Sequence, residues 1–151
     1  MERVVSEVCQ YLLDNLDQKT SLDELEQKFY YNKYHLVRSF KQYTGLTMKE
    51  YVNTARVLQT VDPLLCTKDT ILKIALNHGF SSQEYYSETF QGVVGVSPMR
   101  FRKTFSEETK NIRELKKKKD YLLYLKQYQE NLYHIGTVEK QQEKVKKLMF
   151  H

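Results

Sequence analysis

The chain has 151 residues, 40% of them hydrophobic and 28% charged, the makeup of one ordinary globular domain or a small domain with an appendage. No apolar run approaches the ~18 residues that span a bilayer. The amphipathic start MERVVSEVCQYLLDNL lacks the basic flank and continuous apolar core of a secretory signal, so the expected place is the cytoplasm. Cys9 and Cys66 form no CxxC, and both are expected to be buried thiols. His35, His78, His134 and His151 show no metal-ligand spacing, so no metal site and no cofactor are expected. There is no GxSxG, HExxH or phosphate-cradling glycine loop, which leaves catalysis without a candidate. The net charge of +5 points to an acidic partner, and its location is uneven: residues 1–105 hold 13 Lys and Arg against 12 Asp and Glu, residues 106–151 hold 11 against 7.

Val4, Val5, Val8, Leu12 and Leu16 recur at helical spacing and predict a first helix over about residues 2–16. Ser21-Leu22-Asp23-Glu24 is a capping box opening a helix from Leu22 to about Phe29. Asn32 is an N-cap for a third helix over about 33–43, with Leu36 and Phe40 inward and Gly45 as the stop. Thr47-Met48-Lys49-Glu50 opens a fourth, along which Tyr51, Val52, Ala55 and Leu58 share a face. Pro63 is expected to break or kink it, with Asp62 extended as the last residue before the break. Thr70 with Ile71, Ile74 and Ala75 starts a fifth helix ended by Gly79, the Ser81-Ser82-Gln83-Glu84 run caps a sixth, and Ser97-Pro98 starts a seventh. No segment reads as a strand.

The chain repeats itself. Ser21, Leu22, Leu25 and Tyr31 match Thr70, Ile71, Ile74 and Phe80 at an offset of about 49 residues, and Leu36, Phe40, Gly45, Thr47 and Tyr51 match Tyr86, Phe90, Gly95, Ser97 and Phe101 at about 50. Each copy is a short helix, a tight turn and a second helix with an apolar inner face, the helix-turn-helix plan. The expectation is all-α: two helix-turn-helix subdomains joined by a linker helix, in homeodomain-like tandem, then a C-terminal helical hairpin. The boundaries are 1–105 (first motif 1–46, linker 47–69, second motif 70–105) and 106–151.

Residues 1–103 resemble the DNA-binding domain of the AraC/XylS family. The resemblance rests on Ile71, Ile74, Ala75, Gly79, Phe80, Phe90, Gly95, Ser97, Pro98, Phe101 and Arg102 in the second half, and on Phe40-Lys41, Thr44-Gly45, Tyr51 and Arg56 in the first. It implies a bacterial, sequence-specific transcriptional regulator whose two recognition helices enter successive major grooves of double-stranded DNA. Carried onto this chain, the first reading face is Lys33, Tyr34, Val37, Arg38 and Lys41, and the second is Gln83, Glu84, Ser87, Glu88 and Gln91. Four departures stand out. Glu26 replaces a small Ala and Tyr30 a Gly, which predicts a looser first turn; Pro63 interrupts the linker; Glu88 faces DNA; and Gln91-Gly92 replaces a basic ending after Phe90. With Glu84 and Glu88 and no cation in the second helix, the first motif is expected to dominate, because neutralised phosphates supply most affinity. Glu can still accept a hydrogen bond from a cytosine amino group. The same departures motivate an alternative: a degenerate domain kept as a protein-interaction or dimerisation module.

Beyond residue 105, Ser106-Glu107-Glu108 predicts a helix over about 107–133 with Tyr121, Tyr124, Leu125, Tyr128 and Leu132 in one stripe, followed by Gly136 and a last helix carrying Val138, Val145, Leu148 and Met149. The stripe either packs within the chain or forms a dimer or docking surface. Lys116, Lys117, Lys118 and Lys119 are either solvated or, with Arg100, Arg102 and Lys103, phosphate contacts. RNA polymerase is a further candidate partner, and no membrane is.

Overall fold

The computed structural model describes residues 1–106 and 110–132. In chain order these form α1 (Glu2–Asp14), α2 (Leu22–Phe29), α3 (Lys33–Thr44), α4 (Met48–Gln59), α5 (Val61–Cys66), α6 (Ile71–Asn77), α7 (Gln83–Val94), α8 (Pro98–Ser106) and α9 (Ile112–Asn131), with no strand among the described residues. None of these helices is long and apolar enough to cross a membrane. The second helix expected after Gly136 lies outside the described residues.

The hydroxyl caps form as the sequence implies. Ser21, Thr47, Thr70 and Ser97 each accept the amide three residues on, from Glu24, Glu50, Lys73 and Arg100. Ser82, rather than Ser81, caps α7 by accepting from Tyr85. The Glu24 carboxylate is engaged elsewhere, accepting from the Tyr11 hydroxyl at 3.0 Å and so tying α2 to α1.

The linker departs from expectation in an informative way. Helix α4 stops at Gln59 and α5 restarts at Val61, so the break falls at Thr60 and Asp62 is helical, not extended. Pro63 is the third residue of α5, where an amide has no intrahelical partner to lose, and ending α4 at Gln59 relieves the clash with that carbonyl. The roughly 3 kcal/mol cost of an interior proline is thereby avoided. Thr60 is fully buried at the break. Its hydroxyl donates to the Val57 carbonyl at 2.6 Å and accepts from the Tyr86 hydroxyl of α7 at 2.7 Å. Burial pushes the Tyr86 phenol up to about 12.

Aromatic rings carry the second half. Phe80, Tyr86, Phe90, Phe101, Phe105 and Tyr121 follow one another at centroid distances of 4.5 to 5.9 Å, running from the turn before α7 into α9. Tyr121, Leu125, Tyr128 and Leu132 are buried, so the stripe on α9 packs on the chain's own tandem domain. The Tyr121 hydroxyl donates to the Val94 carbonyl at the end of α7, and the Tyr51 hydroxyl of α4 donates to the Leu132 carbonyl. Thus α9 touches both halves. It starts later than expected, at Ile112, with Asn111 accepting from the Arg113 amide at 2.9 Å; residues 107–109 lie outside the described set. Cys9 is buried but Cys66 is exposed at the end of α5, which corrects the expectation of two buried thiols.

The turn between α2 and α3 is tight, not loose. Tyr30 takes the left-handed conformation (φ 59°, ψ 33°) and its amide donates to the Glu26 carbonyl at 3.0 Å. The Glu26 carboxylate reaches across the turn and accepts from the Lys33 amide at 2.7 Å, capping α3. One residue therefore holds both ends of the turn. Glu26→Ala, which would install the residue more usual at this place, should lower stability by about 1 kcal/mol, the typical value of a lost N-terminal cap; urea denaturation checks this, and an unchanged or raised midpoint would contradict it.

Candidate nucleic-acid interface

Helix α3 turns Leu36 and Phe40 into the core, and the opposite face is left to solvent. On that face Tyr34, Val37, Arg38 and Lys41 are exposed, Tyr34 by 66%. Lys33 is half-buried, with its ammonium 2.8 Å from the Asp23 carboxylate, a hydrogen bond that raises its pKa. The first-turn amides of α3 are all engaged within the chain: Lys33 by the Glu26 carboxylate, Tyr34 and His35 by the Asn32 side chain, Leu36 by the Asn32 carbonyl. Any phosphate met here must be bound by side chains.

Helix α7 is built alike. Tyr86 and Phe90 are buried, while Gln83, Glu84, Glu88 and Gln91 are exposed and Ser87 is half-buried on the other side. The ten residues expected on the two reading faces therefore lie on the solvent sides of two equivalent helices. The structure adds Lys49, which the sequence pattern places only in a capping box. Its ammonium lies 5.9 Å from the ring of Tyr85 on α7, whose hydroxyl accepts from Asn53 at 2.7 Å. The first turn of α4 thus sets a cation beside a helix that carries none.

A family model described as a helix-turn-helix domain matches residues 25–104. The transposon Tn10 TetD protein of Escherichia coli is 35% identical over 100 residues, which cover 66% of this chain and 72% of that protein. The chain belongs to the AraC/XylS family. The HTH-type transcriptional activator AarP of Providencia stuartii is 31% identical over 99 residues, 66% of this chain and 73% of that protein. The DNA-binding domain of AdpA, solved in complex with a target DNA, is 25% identical with a TM-score of 0.59 over 67% of this chain and 91% of that one. Like the family, this chain is a sequence-specific DNA-binding transcriptional regulator and not an enzyme. The Cys9 thiol suits that, since burial pushes it up to about 11 and away from the reactive thiolate.

Two of the expected phosphate contacts are placed otherwise in this AraC/XylS-type frame. Arg102 donates from Nε to the Leu64 carbonyl at 2.8 Å and from Nη1 to the Asp69 carbonyl at 2.7 Å, fastening the segment between α5 and α6. Arg56 does the same in the first half, from Nε to Leu16 at 3.0 Å and from Nη2 to Gln18 at 3.2 Å. The repeated clamp uses the planar fork of arginine, which lysine lacks. Lys118 is buried rather than presented to solvent. Arg100, Lys103, Lys116, Lys117 and Lys119 are exposed. Arg102→Ala should lower stability by about 2 kcal/mol through the lost charged hydrogen bonds and leave the salt dependence of duplex binding unchanged. A shallower salt slope with unaltered stability would return Arg102 to the phosphate contacts.

Proposed function

We propose that the chain binds one asymmetric duplex site as a single unit, with α3 and α7 in successive major grooves about 34 Å apart and α3 supplying most of the affinity. The observation that carries this reading is the charge on the two faces: Lys33, Arg38 and Lys41 on α3, Glu84 and Glu88 on α7. In this scheme Tyr34, Val37 and Arg38 read bases, and Lys33 and Lys41 hold phosphate. On α7, Glu84 or Glu88 accepts from a cytosine amino group while Gln83, Ser87 and Gln91 make polar contacts. Lys49 offsets the acidic helix, and Arg100, Lys103, Lys116, Lys117 and Lys119 add sequence-independent attraction. The protein acts in the cytoplasm, and RNA polymerase is its second partner if, like the relative named an activator, it activates.

The protein-interaction alternative loses two of its motives. Glu26 serves as a cap and Pro63 sits where a helix tolerates it, so neither marks a decayed motif. The Tyr/Leu stripe, its proposed docking surface, is engaged by the chain's own helices.

Arg38→Ala should weaken binding to a selected duplex by about 1–3 kcal/mol while changing binding to random duplex little. Fluorescence anisotropy on the two duplexes at one salt concentration checks it. Equal weakening on both would make Arg38 a phosphate contact and remove it from base reading.

A further inference from the structure

Tyr30 occupies the first turn at the place Gly79 occupies in the second, and both backbones are left-handed (φ 59° and 87°). Among the described residues Tyr30 is the one non-glycine residue with positive φ. The glycine in the second motif has a visible cause: a Cβ there would lie 3.0 Å from Nε of Arg56. Tyr30 is 91% exposed, and its side chain makes no ring contact or hydrogen bond among the described residues. Backbone hydrogen bonds hold the turn, but nothing in the free protein engages the bulky side chain in this disfavoured conformation, which points to a contact made in the bound one.

The surroundings say which contact. The turn immediately precedes the N-terminal end of α3, the end that meets base edges when such a helix enters the groove, so the turn lies at the groove's edge beside the phosphate backbone. The α3 amides that could have met a phosphate are consumed inside the chain, and the Lys33 ammonium is shared with Asp23. Glu26 fixes the turn from both sides, so the backbone that carries Tyr30 is held in place. We infer that the Tyr30 hydroxyl donates a hydrogen bond to a DNA backbone phosphate flanking the α3 groove, replacing the anchor that the capped amides no longer provide. Tyrosine is among the side chains that make such contacts, which position a reader without specifying sequence.

This inference rests on the reading of α3 as the principal reader, and the test separates the two. Tyr30→Phe keeps the ring and the strained backbone and removes only the hydroxyl; Tyr30→Gly removes the ring and relieves the backbone. Both should bind selected and random duplex about tenfold more weakly, with the slope of log K against log salt unchanged, because an uncharged hydroxyl releases no counterion. Tyr30→Gly should at the same time melt at a higher temperature than the wild type, so that stability rises while affinity falls. Lys41→Ala, the comparison, should lower the slope by about one. The assignment is overturned if both Tyr30 variants bind as the wild type does while Arg38→Ala is impaired, or if only Tyr30→Gly is weakened, which would credit the ring. If the wild type itself binds no duplex at low salt, the reading of α3 falls and the Tyr30 contact with it.

Discussion

One buried hydroxyl pair, Tyr86 on α7 and Thr60 at the break between α4 and α5, joins the second helix-turn-helix to the linker. The Thr60 hydroxyl donates its proton to the Val57 carbonyl one turn back and accepts from Tyr86 with a lone pair. Both groups are out of water, so losing the Thr60 hydroxyl leaves that of Tyr86 unsatisfied, a penalty larger than the net value of an ordinary hydrogen bond. The bond therefore ties α7 to the point where α4 ends. Pro63 helps: its ring forbids α4 from continuing through Gln59 and Thr60, so the bend is built into the covalent chain.

The remaining contacts secure this frame from behind. Arg56 and Arg102 each fasten the chain that leads into the first helix of a helix-turn-helix motif, α2 or α6, and α9 lies over α4 and the end of α7, with Tyr51 and Tyr121 donating to carbonyls across the joint. None of these uses the exposed faces of α3 and α7. The consequence is a division of labour in which the inner faces set geometry while the exposed side chains of α3 and α7, apart from Lys33 with its Asp23 partner, are left to a ligand. That division explains why an acidic second helix is compatible with an intact motif: Glu84 and Glu88 touch nothing the frame needs.

Much of this was legible from local pattern. Caps, apolar stripes and the repeat depend on residues within four positions of each other or on a fixed offset, and the helices, their inner faces and the exposed faces opposite follow from them. What the pattern missed depends on reach. Glu26 looks like an oversized substitute for alanine until its carboxylate is seen to cross the turn to Lys33, seven residues on. Pro63 reads as a helix breaker because sequence does not reveal that the helix restarts at Val61. Arg102 and Lys118 carry charge, and charge alone suggests phosphate; one is consumed by the Leu64 and Asp69 carbonyls and the other by burial. Lys49 was hidden by its role in a cap, and only the packing of α4 on α7 brings it beside Tyr85.

The most direct test is selection of bound sequences from a random duplex pool, with the enriched fragments sequenced. A rigid frame with a dominant first reader predicts one asymmetric site containing two boxes at a fixed separation of about ten base pairs, the box under α3 the more strongly conserved among the selected sequences. A palindrome, two boxes at variable separation, or a stronger box under α7 would contradict it.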